Sequence, residues 1–347
     1  MSDVTPIPLP LEHVGSVNAW LLRGDPLTLI DTGPRDDGAL AALEDGLRRE
    51  GLRVEDIELV LATHHHLDHV GLAATIQRRA NARVAVLDRV ADYVERYAEE
   101  VERDRRFAHA LMAHHGVPDQ VAAETEAFWD RIRETTEDFR ADVRLADGDR
   151  VCAGGRSLLV VARPGHSTTD TLFVDDHHAL AFAGDHLLAR ISSNTEIRTP
   201  EAAPDGRARS RLRYLEGLRL TAAMPLAQLL TGHGPPVGGH ARLVDERIRD
   251  HRRRGERILA ILDDGPRTAF QIARRLWPAR TVAEQPLLVV WEVLGNLELL
   301  LASAEVAERV GDGGSVFERT CDTRPAPAPA RRRRGRRRPG ADCAGRG

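Results

Sequence analysis

The chain has 347 residues, 42 % hydrophobic but only 4 % aromatic, so about two domains are expected, with cores built mainly on Leu, Val and Ala. All 49 basic residues are arginine, which excludes a Schiff-base lysine and a Walker-type phosphate loop, since each needs a lysine. The net charge of −4 is unevenly spread: residues 323–347 carry nine Arg and one Asp, about +8, which leaves the body near −12 and a poor general binder of polyanions.

The N-terminus shows no basic stretch followed by an apolar run, and no segment reaches about 18 consecutive apolar residues. A soluble, cytoplasmic protein with no membrane partner is expected. In chain order, residues 7–30 alternate short apolar runs with turn residues, as antiparallel strands do, and end in the turn Asp31-Thr32-Gly33-Pro34. Residues 36–50 place Leu40, Leu43 and Leu47 at helical spacing. The strand Leu59–Ala62 follows, then a histidine-rich segment, a helix to about Ala80 and the strand Arg83–Leu87. Residues 88–141 are long, charged and helical in pattern, an insertion suited to a lid or a pocket wall. Strand patterns resume at Arg150–Cys152, Leu158–Ala162, Ala179–Ala183 and Leu226–Leu230, and helical patterns at 207–223 and 239–262.

From about 255 the composition changes. Glu256–Leu262 reads as a helix, Asp263–Thr268 as a turn with a Thr cap, Ala269–Leu276 and Gln285–Ser303 as further helices, and Val306–Phe317 as a hairpin. That is the winged-helix order, in a small module at 255–320. Beyond Thr320 a Pro/Ala repeat and an Arg run read as a disordered tail, 321–347. The three cysteines, Cys152, Cys321 and Cys343, are odd in number and widely spaced, and indicate neither a disulfide framework nor a cysteine zinc site.

The chemistry concentrates in Thr63-His64-His65-His66-Leu67-Asp68-His69. In an extended segment side chains alternate, so His64 and His66 point one way and His65 the other. Asp68 and His69, at the start of the next helix, turn back to the same point. Two half-sites result, His64 with His66 and Asp68 with His69, and neither is complete, because a metal such as zinc needs three or four ligands. Three later strands supply more: each runs into a glycine and then a ligand type, at Gly165-His166, Gly184-Asp185 and Gly232-His233. Seven ligand-type residues at the ends of four strands suit a two-metal site.

On these residues the chain resembles the metallo-β-lactamase superfamily, in its branch of glyoxalase II-like hydrolases. The H-x-H-x-D-H signature is His64–His69, the later ligands are His166, Asp185 and His233, and Asp31 matches an early Asp that supports the site from outside the metals. The resemblance covers about residues 5–250 and implies an α/β (α+β) fold, a four-layer αββα sandwich. It also implies that His64, His66 and His166 hold one metal, that Asp68, His69 and His233 hold the other, and that Asp185 bridges them. Thr169 departs from the family's usual Gly three residues after the third His. The 255–320 module resembles the winged-helix-like domain appended in some branches, including endoribonucleases.

Such a site implies two divalent ions, zinc first, with iron or manganese also suited. A metal-bridging hydroxide would attack an electrophilic carbonyl, with Asp68 and Asp185 as the catalytic carboxylates. The reading that follows is hydrolysis of an ester or thioester of a small organic substrate. The alternative is a metal-dependent endoribonuclease. Against it, the helix 285–303 holds no Arg up to Glu298 and reads as a packing helix. The module is then expected to close the active site or to make a homodimer contact. Arg190 and Arg198, read as exposed, are candidates for an anionic substrate group, and Ser167 reads as a turn residue.

Overall fold

Along each strand successive side chains point to opposite faces, and here the two faces meet different partners. The structure, a computed structural model, describes residues 3–11, 15–198 and 209–320. The first sheet holds β1 (Val4–Leu11), β2 (Gly15–Leu22), β3 (Thr28–Ile30), β4 (Leu59–Leu61), β5 (Arg83–Leu87) and β6 (Val143–Leu145) in that spatial order. Its first three strands pair antiparallel and β3 to β6 pair parallel. The second sheet runs in sequence order through β7 (Arg150–Ala153), β8 (Arg156–Ala162), β9 (Thr171–Asp175), β10 (Leu180–Gly184), β11 (Gln228–Thr231) and β12 (Val237–Gly238). Within it only β10 and β11 are parallel.

Leu59 and Leu61 of β4 face the second sheet, whereas Val60 between them faces the helices; Leu158 and Val160 of β8 face inward, Leu159 and Val161 outward. Between the sheets Trp20, Ile30, Phe173 and Phe182 form a closed core. Helices α1 (Asp37–Arg49), α2 (Leu67–Val70) and α3 (Ala73–Ala80) cover the outer face of the first sheet, where Leu43, Leu47 and Ile76 join the core of Leu29, Val60 and Val84. The carboxylate of Asp36 caps α1, accepting from the Ala39 N–H at 2.8 Å. The expected insertion lies between β5 and β6 as α4 (Asp88–Glu95), α5 (Tyr97–His114), α6 (Asp119–Ala122) and α7 (Glu126–Thr135). Helices α8 (Ser210–Ala222) and α9 (His240–Leu262) cover the second sheet with Tyr214, Leu218 and Val244. The layers are therefore αββα.

After α9 come α10 (Ala269–Leu276), α11 (Ala279–Glu284), α12 (Pro286–Ala302) and the hairpin β13 (Val306–Gly311) and β14 (Gly314–Arg319). Thr268 caps α10 in a reciprocal box with Gln271, as its sequence suggests. Helix α9 runs unbroken through 250–255, so the boundary expected there falls inside a helix and Glu256–Leu262 is its final part. Strands β6, β9 and β12 and helix α11 have no counterpart in the sequence reading; none exceeds six residues, too short for periodicity to register. The tail 321–347, with Cys321 and Cys343, and the first residues of the helix expected at 207–223 lie outside the described residues.

The C-terminal elements and the insertion share one apolar core: Phe270, Leu297 and Phe317 belong with Met112, Val117 and Trp129. At their contact the buried His115 ring stacks on Phe317 with centroids 5.9 Å apart, and the His115 carbonyl accepts from the Phe270 N–H at 3.2 Å. Burial, helped by His114, pushes the His115 imidazole down from its ordinary 6.5 to about 4. Unfolded, this group takes up its proton near 6.5. Its contribution to stability is thus complete above that pH and is lost as the pH falls towards 4, up to about 3 kcal/mol. His115→Phe, which keeps a stacking ring, should flatten the fall of Tm between pH 6.5 and 4 relative to the parent; an unchanged acid limb would remove His115 as a cause.

Candidate metal centre

Four strand ends bring the seven expected residues to one edge of the sandwich. His64–His69 follow β4, His166 follows β8, Asp185 follows β10 and His233 follows β11. The pairing of β10 with β11 slips between Phe182 and Gly184, just before Asp185, and such a bulge re-aims the next side chain. The glycines here are required by close approach. A Cβ on Gly184, at φ 45°, would lie 2.4 Å from Thr63 Oγ1, and one on Gly232 would lie 2.4 Å from Asp185 Oδ1 and 2.6 Å from His69 Cε1.

Three imidazole nitrogens converge first. His66 Nδ1 lies 3.0 Å from His64 Nε2 and 3.0 Å from His166 Nε2. Beside them His233 Nε2 is 3.1 Å from Asp68 Oδ2 and 3.4 Å from Asp185 Oδ2, and His69 Nε2 is 3.5 Å from Asp185 Oδ1. Asp185 Oδ2 is also 3.7 Å from His166 Nε2, so this carboxylate faces both halves. Among the described residues, the sets His64/His66/His166, His64/His69/Asp185 and Asp68/His69/His233 each bring their ligand atoms within 4.8 Å of one another. A fourth set, His65/His66/Glu196, lies behind His66.

The outer ring nitrogens decide which way the protons point. His66 Nε2 meets Glu196 Oε2 at 3.1 Å, His69 Nδ1 meets Asp31 Oδ2 at 2.8 Å, His166 Nδ1 meets the Asn194 carbonyl at 2.7 Å and His233 Nδ1 meets the Ser16 carbonyl at 2.8 Å. Those partners only accept, so each of these rings donates outward. His64 Nδ1 lies 3.1 Å from Thr63 Oγ1, whose own proton goes to Asp31 Oδ2 at 2.8 Å. A neutral imidazole has one N–H, so the lone pairs all face inward, on one another and on two carboxylates. The buried atoms His69 Nε2 and Asp185 Oδ1 have no hydrogen-bond partner. This donor set fits divalent cations.

The electrostatics agree. Burial drives His64 well below its usual value, and the neighbouring histidines add to it. Burial also opposes charge on His69, yet Asp68, Asp31 and Asp185 together hold its imidazole well above the ordinary range. For His233 burial is likewise overcome by Asp185 and Asp68, up to about 10. Burial works against the Asp68 carboxylate, but His69 and His233 hold it down at about 2.

Asp31 stands outside the cluster, as expected, and adopts φ 60°, a region where Asp is tolerated better than most residues. It accepts from Thr63 N–H and Oγ1–H, both at 2.8 Å, as well as from His69. His65 turns away, as alternation requires, with Nδ1 2.8 Å from Thr169 Oγ1. Thr169 thus anchors His65. Ser167 is the turn residue expected, its hydroxyl donating to Asp170 at 2.6 Å. Arg198 corrects the sequence reading: it is not an exposed arginine but is packed into the site wall, 2.7 Å from both Glu196 and Asp104 and 4.7 Å above the Tyr93 ring. Arg190 is exposed.

Sequence reasoning missed Glu196, Asn194 and Asn18. Glu196 is 3 % exposed and orients His66; Asn18 pins the His233 turn by donating to the Thr231 and Gly234 carbonyls at 3.0 and 2.9 Å. None sits in a motif or at a telling spacing. A cavity of about 370 Å³ opens from the cluster, walled by Tyr93, Tyr97 and Trp129 of the insertion, Leu188 and Ile197 of the loop after Asp185, and Trp291 of α12. A larger open groove of about 660 Å³ runs past Val4, Trp20 and Leu230, but none of the ligand sets borders it.

The model of the metallo-beta-lactamase superfamily matches residues 14–248. The chain is 31 % identical over 323 residues to the probable metallo-hydrolase YqjP of Bacillus subtilis (strain 168), covering 92 % of this chain and 98 % of the relative. It is 29 % identical over 172 residues to a hydroxyacylglutathione hydrolase of Rhodopseudomonas palustris (strain BisA53), about half of either chain (50 % and 49 %). The solved structure of a metallo-beta-lactamase family protein from Thermus thermophilus superposes with a TM-score of 0.78 at 26 % identity, over 92 % of this chain and 99 % of that one. With this match and the ligand-type cluster at the strand ends, the chain belongs to the metallo-β-lactamase superfamily and is one of its metallo-hydrolases.

Proposed function

We propose that the chain hydrolyses an ester or thioester of a small organic acid, with His64, His66 and His166 holding one divalent ion, Asp68, His69 and His233 a second, and Asp185 serving both. The observation that carries this reading is the donor set, in which ring protons face outward and lone pairs face inward. Zinc suits these N and O ligands best, with iron and manganese also suited. Such ions, when bound, lower the pKa of water toward neutrality and polarise a carbonyl oxygen.

The remaining work falls to the chain's own residues. Asp68 borders the cavity, and its carboxylate stays ionised, so it accepts a hydrogen bond from the attacking water and orients it. Tyr93, Trp129 and Trp291 seat the acyl side of the substrate and exclude bulk water. A C–O bond forms from water to the acyl carbon, the acyl–oxygen or acyl–sulfur bond breaks, and water's proton ends on the departing alcohol or thiol. The partial likeness to hydroxyacylglutathione hydrolases supports the thioester half of this reading, because an acyl glutathione is a thioester.

Purified protein should carry close to two ions per chain, and a chelator should abolish turnover until metal is restored; full activity without metal would sink the reading. Asp185→Asn should lower kcat about a hundredfold or more. Glu196→Gln, which leaves His66 without its anionic acceptor, should weaken metal affinity about 10- to 100-fold. Metal titration followed by calorimetry measures this directly, and unchanged affinity would free Glu196 of that role. A panel of thioesters, esters, lactones, phosphodiesters and structured RNA should show preference for the first two; preference for RNA would establish the nuclease alternative instead.

A further inference from the structure

We infer that the chamber beside the ligand cluster is an acyl pocket selecting an uncharged, apolar group, an inference that rests on the ester and thioester reading above. The chain is poor in aromatics, yet two of its four Trp (Trp129, Trp291) and two of its three Tyr (Tyr93, Tyr97) wall this one cavity. Phe128 and Ile191, 38 % and 53 % exposed, also border it. Apolar side chains of that size left in water have a reason to be there if apolar ligands pass them. At about 30 Å³ per small group, a volume of about 370 Å³ takes roughly a dozen non-hydrogen atoms.

Most polar side chains of the wall are already engaged with one another; the buried indole N–H groups of Trp129 and Trp291, both uncharged, have no hydrogen-bond partner. Tyr97 Oη donates to the His65 carbonyl at 2.7 Å and Tyr93 Oη to Asp104 at 2.9 Å, so both present their rings. Ser193 Oγ donates to the Asp185 carbonyl at 2.5 Å, and the Asn194 amide to the Leu288 carbonyl at 2.9 Å. Arg198 is the one guanidinium among the described residues of the lining, and it is bound by two carboxylates, Glu196 and Asp104, and covered by Tyr93. Two acids on one base leave no positive charge for an incoming anion. Glu196 is held in turn by His66 and by the Thr168 N–H at 2.9 Å, and Asp104 by the Tyr93 hydroxyl, so neither carboxylate is free for a cationic group. A charged group entering past this wall would lose its hydration and meet no free side chain of opposite charge on it, only the neutral indole N–H groups of Trp129 and Trp291.

The test uses the metal-loaded full chain with esters and thioesters of straight-chain acids from acetyl to decanoyl, and with octanoyl analogues ending in a carboxylate or an amine. kcat/KM should rise about threefold to fourfold per methylene until the chamber is full. Both charged analogues should be at least about a hundredfold poorer than octanoyl. Trp291→Ala, checked for metal content and circular dichroism, should cut the octanoyl-over-acetyl preference about tenfold. Binding of uncharged methyl alkyl ketones, followed by quenching of Trp fluorescence, gives a readout independent of turnover and should tighten with chain length. If no ester or thioester is cleaved but ketone binding tightens with length, the chamber stands and the reaction assignment falls. A flat chain-length series in both assays, or a charged octanoyl analogue that matches or exceeds the neutral one, overturns the acyl-pocket inference while leaving ester hydrolysis intact.

Discussion

Packing five imidazoles and two carboxylates into one buried spot is electrostatically unfavourable unless every donor is spoken for. Lone pairs at 3.0 Å repel, and carboxylates stripped of water cost several kcal/mol each. The surrounding structure meets this demand by giving each ring an acceptor on its outer side. Asp31, Glu196 and the carbonyls of Ser16 and Asn194 take the protons, and the inner faces are left for cations. Asp31 holds the most of this, tying the Thr63 backbone, the Thr63 hydroxyl and His69 together from a single carboxylate.

That requirement reaches into the parts of the chain that look peripheral. Asn194 ties the cluster to α12: its carbonyl fixes His166, its amide binds the Leu288 carbonyl of α12, and its side-chain oxygen accepts from the neighbouring Thr195 N–H. Behind it the fully buried Arg211 binds Glu292 of α12 at 2.6 Å and His251 of α9 at 2.9 Å, and Arg254 binds the other oxygen of Glu292. Helix α12 is thereby tied to the loop whose Asn194 carbonyl fixes His166. The insertion is locked to the same helix through their common core. Cluster and chamber are consequently one construction, with the His and Asp residues carried by strand termini and the cavity walled by added helices.

Most of the αββα frame was legible because its strands and helices obey simple periods. The alternation of Leu59, Val60 and Leu61, and the helical spacing of Leu43 and Leu47, mark which faces are buried before any contact is known. The convergence of the seven His and Asp residues was legible because spacing within His64–His69 and a glycine before His166, Asp185 and His233 have direct geometric meaning. Gly184 and Gly232 show why: any side chain there would collide with Thr63 or with Asp185 and His69. The continuity of α9 and the short β6, β9 and β12 were not legible, since a composition change does not stop a helix and a few residues show no period.

By itself, then, the sequence determined the fold class, the family and which His and Asp residues gather at one edge of the sandwich, because these depend on local spacing and on residue type. Only the tertiary structure decided the partners that aim those residues and the character of the cavity they face. Glu196 lies 130 residues from His66, and Trp291 more than 220 from the histidine segment, so no periodicity links them. Arg198 is the sharpest instance. Its charge is plain in the sequence, but whether that charge is available depends on Asp104, from the distant insertion, and on Glu196 both closing on it, and they do.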